Sequence, residues 1–190
     1  MKQITLQKLE SYNTIKSLRR ISKSQTAVSF DIRHLRKYYN IDTGVRLEEY
    51  DYNLQRPYVW TLLQQQELIW SIYMERPIPP FVFIQHSNER DLLGPTTMMV
   101  IDGKQRLITI FRFMDNEFPI IVDGEEVYFK DLDPKAQLRL NSYSINVQVY
   151  YSYSNDPITD DEKILIFNHY NFAGTQQEEV HKSKLQSFLK

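Results

Sequence analysis

Cysteine is absent from the 190 residues, and with it go disulfide bridges, thiolate nucleophiles, iron–sulfur clusters and thiolate zinc sites. Such a chain suits a reducing compartment, so a cytoplasmic location is expected. Long apolar runs are missing too. None approaches the roughly 20 residues that cross a bilayer, and Met1 to Gln7 shows no hydrophobic signal region. No membrane partner is expected. There is no internal repeat and no low-complexity tract.

What is present is material for a core. Hydrophobic residues make up 42% and charged residues 25%, with 13 Tyr and 10 Phe, which excludes wholesale disorder. The length suits one ordinary domain with short appendages. The net charge of −1 hides an uneven distribution: residues 1 to 40 carry nine Lys or Arg against Glu10 and Asp31, a local balance of +7 that leaves −8 for the remainder. A basic end attracts polyanions through their phosphates. Arg19, Arg20 and Lys23 are the candidate DNA contacts there, with a solvated helix face as the other explanation.

Leu6, Leu9, Ile15 and Leu18 suggest a first helix over about residues 3 to 20. Ser22 to Thr26 reads as a polar break, Phe30 to Tyr39 as a short helix, and Val45 to Tyr50 as a half-buried strand. Residues 1–29 are expected as a basic helical appendage and 30–190 as the domain. Leu62, Leu63, Leu68, Ile69, Ile72 and Tyr73 form one apolar helical stripe over 62–74 that Pro77, Pro79 and Pro80 must end. Phe81 to Ile84 and Thr97 to Ile101 read as strands of an antiparallel hairpin around a polar loop. Leu107, Ile110, Phe111 and Met114 return to helical spacing. Asp123-Gly124 marks another hairpin, between 120–122 and 127–129, slightly longer than the tightest type. Asp133-Pro134 starts a helix, Ile145 to Tyr150 alternates as a strand with one wet face, and Thr159 to Glu162 is a capping box launching a helix toward Ala173-Gly174. A last helix is expected over about 176–189. Helices mixed with hairpins, lacking a regular βαβ alternation, indicate an α+β fold.

Three stretches could carry chemistry. Val100-Ile101-Asp102-Gly103-Lys104-Gln105-Arg106-Leu107 is a strand running into a helix, where free N–H groups and the helix dipole favour phosphate and Gly103 permits close approach. Arg106 can hold two phosphate oxygens and Asp102 can ligate Mg2+ or orient a water. Spacing alone also allows Asp102 as a helix cap and Arg106 as a surface ion-pair partner. In Asn53-Leu54-Gln55-Arg56-Pro57-Tyr58-Val59-Trp60, Pro57 biases Arg56 toward extended geometry, so two arginines could pinch one anion. Tyr58 and Trp60 are either stacking platforms for a base or part of the core. In Phe167 to Thr175, His169 or Asn171 could meet a substrate oxygen, with His169 a candidate general base. A packed, hydrogen-bonded histidine is the alternative. His34, His86 and His181 show no zinc-ligand spacing.

Taken in order, these stretches resemble a known family. Residues 53 to 60 resemble its "QR-x-Y/F-V-W" box, 101 to 107 its hallmark "DGQQRL", and 167 to 174 its "F-x-R-x-N-x-G-G". The family is the N-terminal domain of GmrSD-type modification-dependent restriction enzymes, related to the ParB and sulfiredoxin superfamily, and the resemblance covers about residues 30 to 180. It implies an α+β, ParB/sulfiredoxin-like mixed sheet of short strands and hairpins packed with helices. It also implies a nucleotide-binding module, either a Mg2+-dependent (or other divalent-cation) nucleoside triphosphate hydrolase or a degenerate relative, in bacterial or phage DNA restriction. The family roles fall on Asp102, Gly103, Lys104, Gln105 and Arg106 as the nucleotide motif, Arg56 as a second phosphate contact, and Asn171 and Gly174 from the third box. Gln105 would position the attacking water and Asp102 would place the metal. Lys104 stands for the first Gln of the hallmark, His169 for Arg and Ala173 for the first Gly of the pair. Loss of the arginine removes a source of transition-state charge stabilisation. Family members continue into a C-terminal nuclease or helical domain, so a separate nuclease or effector chain is an expected partner. The competing reading is a DNA-binding or DNA-nicking ParB-like module without triphosphate turnover.

Overall fold

The computed structural model describes residues 25–87, 96–153 and 156–172. The expected helices over 3 to 20 and 176 to 189, the loop 88–95, Arg19, Arg20, Lys23, Ala173 and Gly174 lie outside the described residues. In chain order the elements are β1 (Gln25–Asp31), α1 (Ile32–Tyr38), β2 (Tyr39–Asp42), β3 (Arg46–Leu47), β4 (Tyr52–Asn53), α2 (Leu62–Tyr73), β5 (Phe81–Ser87), β6 (Thr96–Asp102), α3 (Lys104–Met114), β7 (Ile120–Val122), β8 (Glu125–Val127), a 3-10 turn (Phe129–Asp131), α4 (Pro134–Asn141), β9 (Ser144–Tyr153) and α5 (Asp160–Phe172).

Five strands make one mixed sheet in the order β1-β9-β5-β6-β2, with β3-β4 and β7-β8 as separate small hairpins. The β1–β9 and β5–β6 pairs are antiparallel, and β5–β9 and β2–β6 are parallel. Side chains alternate across the strands, so each face carries its own core. Phe81, Phe83, Met98, Val100, Ile145, Val147 and Val149 point to one face and pack with α1 to α4. Val82, Ile84, Ile101 and Tyr150 point to the other, beneath Ile164 and Phe167 of α5 and beside Val45, Leu47 and Leu54. This is the α+β architecture expected, with an open mixed sheet between helices. Among the described residues no helix is long and apolar enough to cross a membrane.

Local signals place most elements. The Thr61 hydroxyl accepts from the Gln64 N–H at 3.4 Å while the Gln64 side chain accepts from the Thr61 N–H at 2.9 Å, starting α2 with a capping box. Asp133 caps α4 by accepting from the Ala136 N–H at 2.7 Å, with Pro134 in the first helical turn. Thr159 and Glu162 cap α5 reciprocally.

Five expectations change. Residues 25–29 belong to β1, so the sheet begins inside the stretch assigned to the appendage. The helix expected over 30–39 contracts to α1, because Asp31 caps it by accepting from the His34 N–H and Tyr39 is already extended. The strand expected over 45–50 is only β3, since the chain turns at Asp51, whose φ is +46°, and returns as β4. In the β7–β8 hairpin Val122 pairs with Glu125, so Asp123 and Gly124 form a two-residue loop, both at positive φ. That is the tightest class rather than a longer one. On β9 the outer face is wet only at first: Tyr150 and Ser152 are buried.

Candidate functional site

The junction from β6 to α3 is built around a glycine. Gly103 caps α3 in the left-handed region (φ +96°, ψ +8°) with no side-chain cap, and a Cβ there would sit 2.4 Å from Cδ1 of Phe81. Two independent restrictions therefore exclude a larger residue. The space that the sequence suggested for an approaching phosphate is, on this side of the backbone, taken by the Phe81 ring. A register shift between Val82 and Phe83 pairs Val82 with Asp102 and Phe83 with Val100, leaving Ile101 as the extra residue of a bulge. Bulges re-aim the side chains that follow them.

Arg106 lies inward. Its side chain is 12% exposed and that of Asp102 27%, and Nη2 of Arg106 donates to Oδ2 of Asp102 at 2.9 Å. Its guanidinium also donates to the carbonyls of Pro79 and Pro80 and stacks over Phe81, 4.7 Å from the ring centroid. Burial pushes the Asp102 carboxyl above its ordinary range, with Arg106 and the Gly103 N–H pulling it back. Burial likewise lowers the Arg106 guanidinium, opposed by Asp102. Gly103, not Asp102, is the cap of α3, and Arg106 is an ion-pair partner of Asp102 that is mostly covered rather than on the open surface.

The stretch 53–60 docks directly onto this junction. Asn53 Oδ1 accepts from the Gln55 N–H at 2.9 Å, and Gln55 Nε2 donates to the carbonyls of Val100 at 2.7 Å and Ile101 at 2.6 Å, just past the last β2 pairing at Met99. Two residues on, Gln105 Nε2 donates to the Pro57 carbonyl at 3.0 Å and Gln105 Oε1 accepts from the Val59 N–H at 2.9 Å. Arg56 sits between these anchors, exposed and without a partner among the described residues. Tyr58 is tied in: its hydroxyl meets Thr109 Oγ1 at 2.8 Å and Arg112 lies 5.1 Å over its ring. Trp60 packs against the core of the first face.

Lys104 opens α3 beside Asp42, the last residue of β2. Burial lowers its pKa and Asp42 raises it. Asp42 Oδ1 accepts from the Gly44 N–H at 2.7 Å. β2 thus ends opposite Met99, three residues before β6 ends at Asp102. Gln55, Asp42, Phe81 and Arg112 had no assigned role in the sequence reading. Gln55 stood inside the first box, but nothing local marks which backbone its amide meets.

The third stretch packs on the second face of the sheet, in one cluster with Leu54 and Ile101. Phe167 is buried in the core of the second face, while Arg106 rests on Phe81 in the core of the first. His169 meets the Tyr170 ring edge-on at 4.8 Å, and Tyr170 bonds Tyr150 at 3.2 Å. Among the described residues no hydrogen bond, ion pair or ring contact joins His169 to Asp102, Arg56 or Arg106. Asn171 is in the last turn of α5. No three His, Asp or Glu among the described residues are grouped to hold a metal. Mg2+ is commonly held by one or two carboxylates plus substrate phosphates, and Asp102 is the carboxylate at this junction that would hold one.

No curated protein and no solved structure matches the chain. The family model described as "GmrSD restriction endonuclease, N-terminal domain" matches residues 35–190, a span that contains the Arg56 segment, the β6–α3 junction and α5. The chain therefore belongs to the family of GmrSD restriction endonuclease N-terminal domains.

Proposed function

We propose that this chain is the nucleotide-binding module of a DNA restriction system, on a scaffold of the ParB/sulfiredoxin type, and that it takes the phosphate chain of a nucleoside triphosphate at the β6–α3 junction. One observation carries the reading. Arg56 is a cation with no partner among the described residues, held between two residues that are both hydrogen bonded to that junction. An exposed guanidinium on an anchored stretch of backbone presents a fork of donors that matches phosphate oxygens.

Lys104 supplies the second charge, exchanging Asp42 for phosphate, and the uncapped first turn of α3 supplies N–H donors near Gly103. Arg106 keeps the junction in shape, since three of its five N–H donors are committed to Asp102, Pro79 and Pro80. Asp102 is the carboxylate that would meet a phosphate-borne Mg2+, whose chemistry there would be neutralisation of phosphate charge. Binding is the part favoured by the geometry. Of the groups expected in turnover, Gln105 is engaged with Pro57 and Val59, and His169 with Tyr170.

The test is a melting scan of the full chain with each of the four ribonucleoside triphosphates and Mg2+, followed by calorimetry and phosphate release. A stabilising shift lost in Arg56→Ala and reduced in Lys104→Gln is expected. No shift with any triphosphate at millimolar concentration overturns the reading.

A further inference from the structure

Residues 56 to 60 lie in neither helix nor strand. A segment without a ladder meets its backbone groups with side chains or water, and only the side-chain bonds fix its position. Here the supports are few. Gln55 grips the carbonyls of Val100 and Ile101 on one side of Arg56, Gln105 grips Pro57 and Val59 on the other, and Gln65 Nε2 donates to the Trp60 carbonyl at 3.0 Å. Gln105 makes two of these bonds, one on either side of Tyr58, as a neighbouring strand would. Its side chain is buried and rides on the first turn of α3, between Lys104 and Arg106.

We propose that Gln105 is a positioning residue that acts on the ligand through Arg56, by holding the Arg56 segment at the phosphate site, and that Gln55 does the same from the other side. This rests on the reading of the site as a phosphate site. It assigns to Gln105 a role different from orienting a water. A water-orienting group changes turnover and leaves affinity alone. A residue that matters only for folding changes stability and leaves the affinity of the folded protein alone. A positioning residue changes affinity, and only while Arg56 is there to be positioned.

The experiment is a double-mutant cycle on the full chain, with affinities for ATP, GTP, CTP and UTP in the presence of Mg2+ measured by calorimetry on folded protein. Loss of a charge-assisted phosphate contact in Arg56→Ala is expected to weaken binding about tenfold or more. Gln105→Met, which keeps the volume and removes both bonds, is expected to weaken it nearly as much, and the double variant no more than Arg56→Ala alone. Gln55→Met gives the same coupling from the opposite anchor and serves where Gln105→Met does not fold. Losses that multiply in the double variant, or full affinity in both glutamine variants, overturn the proposal while leaving the phosphate site standing. Absence of any triphosphate binding by the unaltered protein removes the phosphate site, and the proposal with it.

Discussion

Phe81 occupies the space that a side chain at Gly103 would need, and the same ring carries the guanidinium of Arg106 4.7 Å above its centroid. One aromatic residue on β5 thereby sets both the tight turn into α3 and the cation that follows it. The glycine of the hallmark motif is explained by packing before any ligand is considered.

Gly103→Ala meets the Phe81 contact and the left-handed φ together. Either effect costs about 1 to 3 kcal/mol, so the variant should lose about 3 kcal/mol in chemical denaturation. Adding Phe81→Leu should recover only the steric part, because the backbone angle remains.

Removing Arg106 leaves Asp102 half-buried without its cation. Arg106→Met should cost about 3 kcal/mol, and the pair Asp102→Asn with Arg106→Met should recover part of it. The acid limb carries a second signature. The Asp102 carboxyl is raised in the folded state, so the folded chain holds this proton more tightly than the unfolded one; the stabilisation is complete below the ordinary carboxylate pKa and is lost as pH rises through the raised value. Asp102→Asn should flatten that part of the stability profile.

Alkaline pH reports on the tyrosines. Burial lifts Tyr73 to about 12, hydrogen bonding to Asp161 and then burial lift Tyr50 to about 12, and burial with the Tyr170 bond raises Tyr150 further. Each keeps its proton better folded than unfolded, so their contribution is intact below pH 10 and lost as pH climbs toward 12. Denaturant midpoints should fall across that window. Tyr73→Phe should remove about 2 kcal/mol of the slope.

Asp160 joins α5 to the β3–β4 hairpin. It is 5% exposed, accepts from the Glu49 N–H at 2.8 Å and from Lys163 Nζ at 2.7 Å, and Lys163 also reaches the Arg46 carbonyl at 3.3 Å. Asp160→Ala strands the Lys163 charge and should cost about 3 to 5 kcal/mol. Amide exchange should accelerate first in residues 45–55, which lead into the Arg56 segment, and triphosphate affinity should fall with it.

Much of the fold is legible because its signals are local. The apolar stripe and following prolines of α2, the caps Asp133 and Thr159, the Asp123-Gly124 turn and the junction after Asp102 each depend on residues within a few positions of one another. Gln25 to Ser29 read as a break and an appendage, because their partners on β9 are Asn146 to Tyr150, far along the chain.

Sequence alone determined where α2, α4 and α5 start and that a strand hands over to a helix at Gly103: these follow from backbone angles, periodicity and caps that neighbours specify. Tertiary structure alone decided that Arg106 turns inward onto Phe81 while Arg56 stays outside, that Gln105 spends its amide on Pro57 and Val59, and that His169 belongs to the opposite face of the sheet. Those outcomes depend on which distant segments pack together, and burial and strand pairing between remote residues leave no mark on the residues nearby.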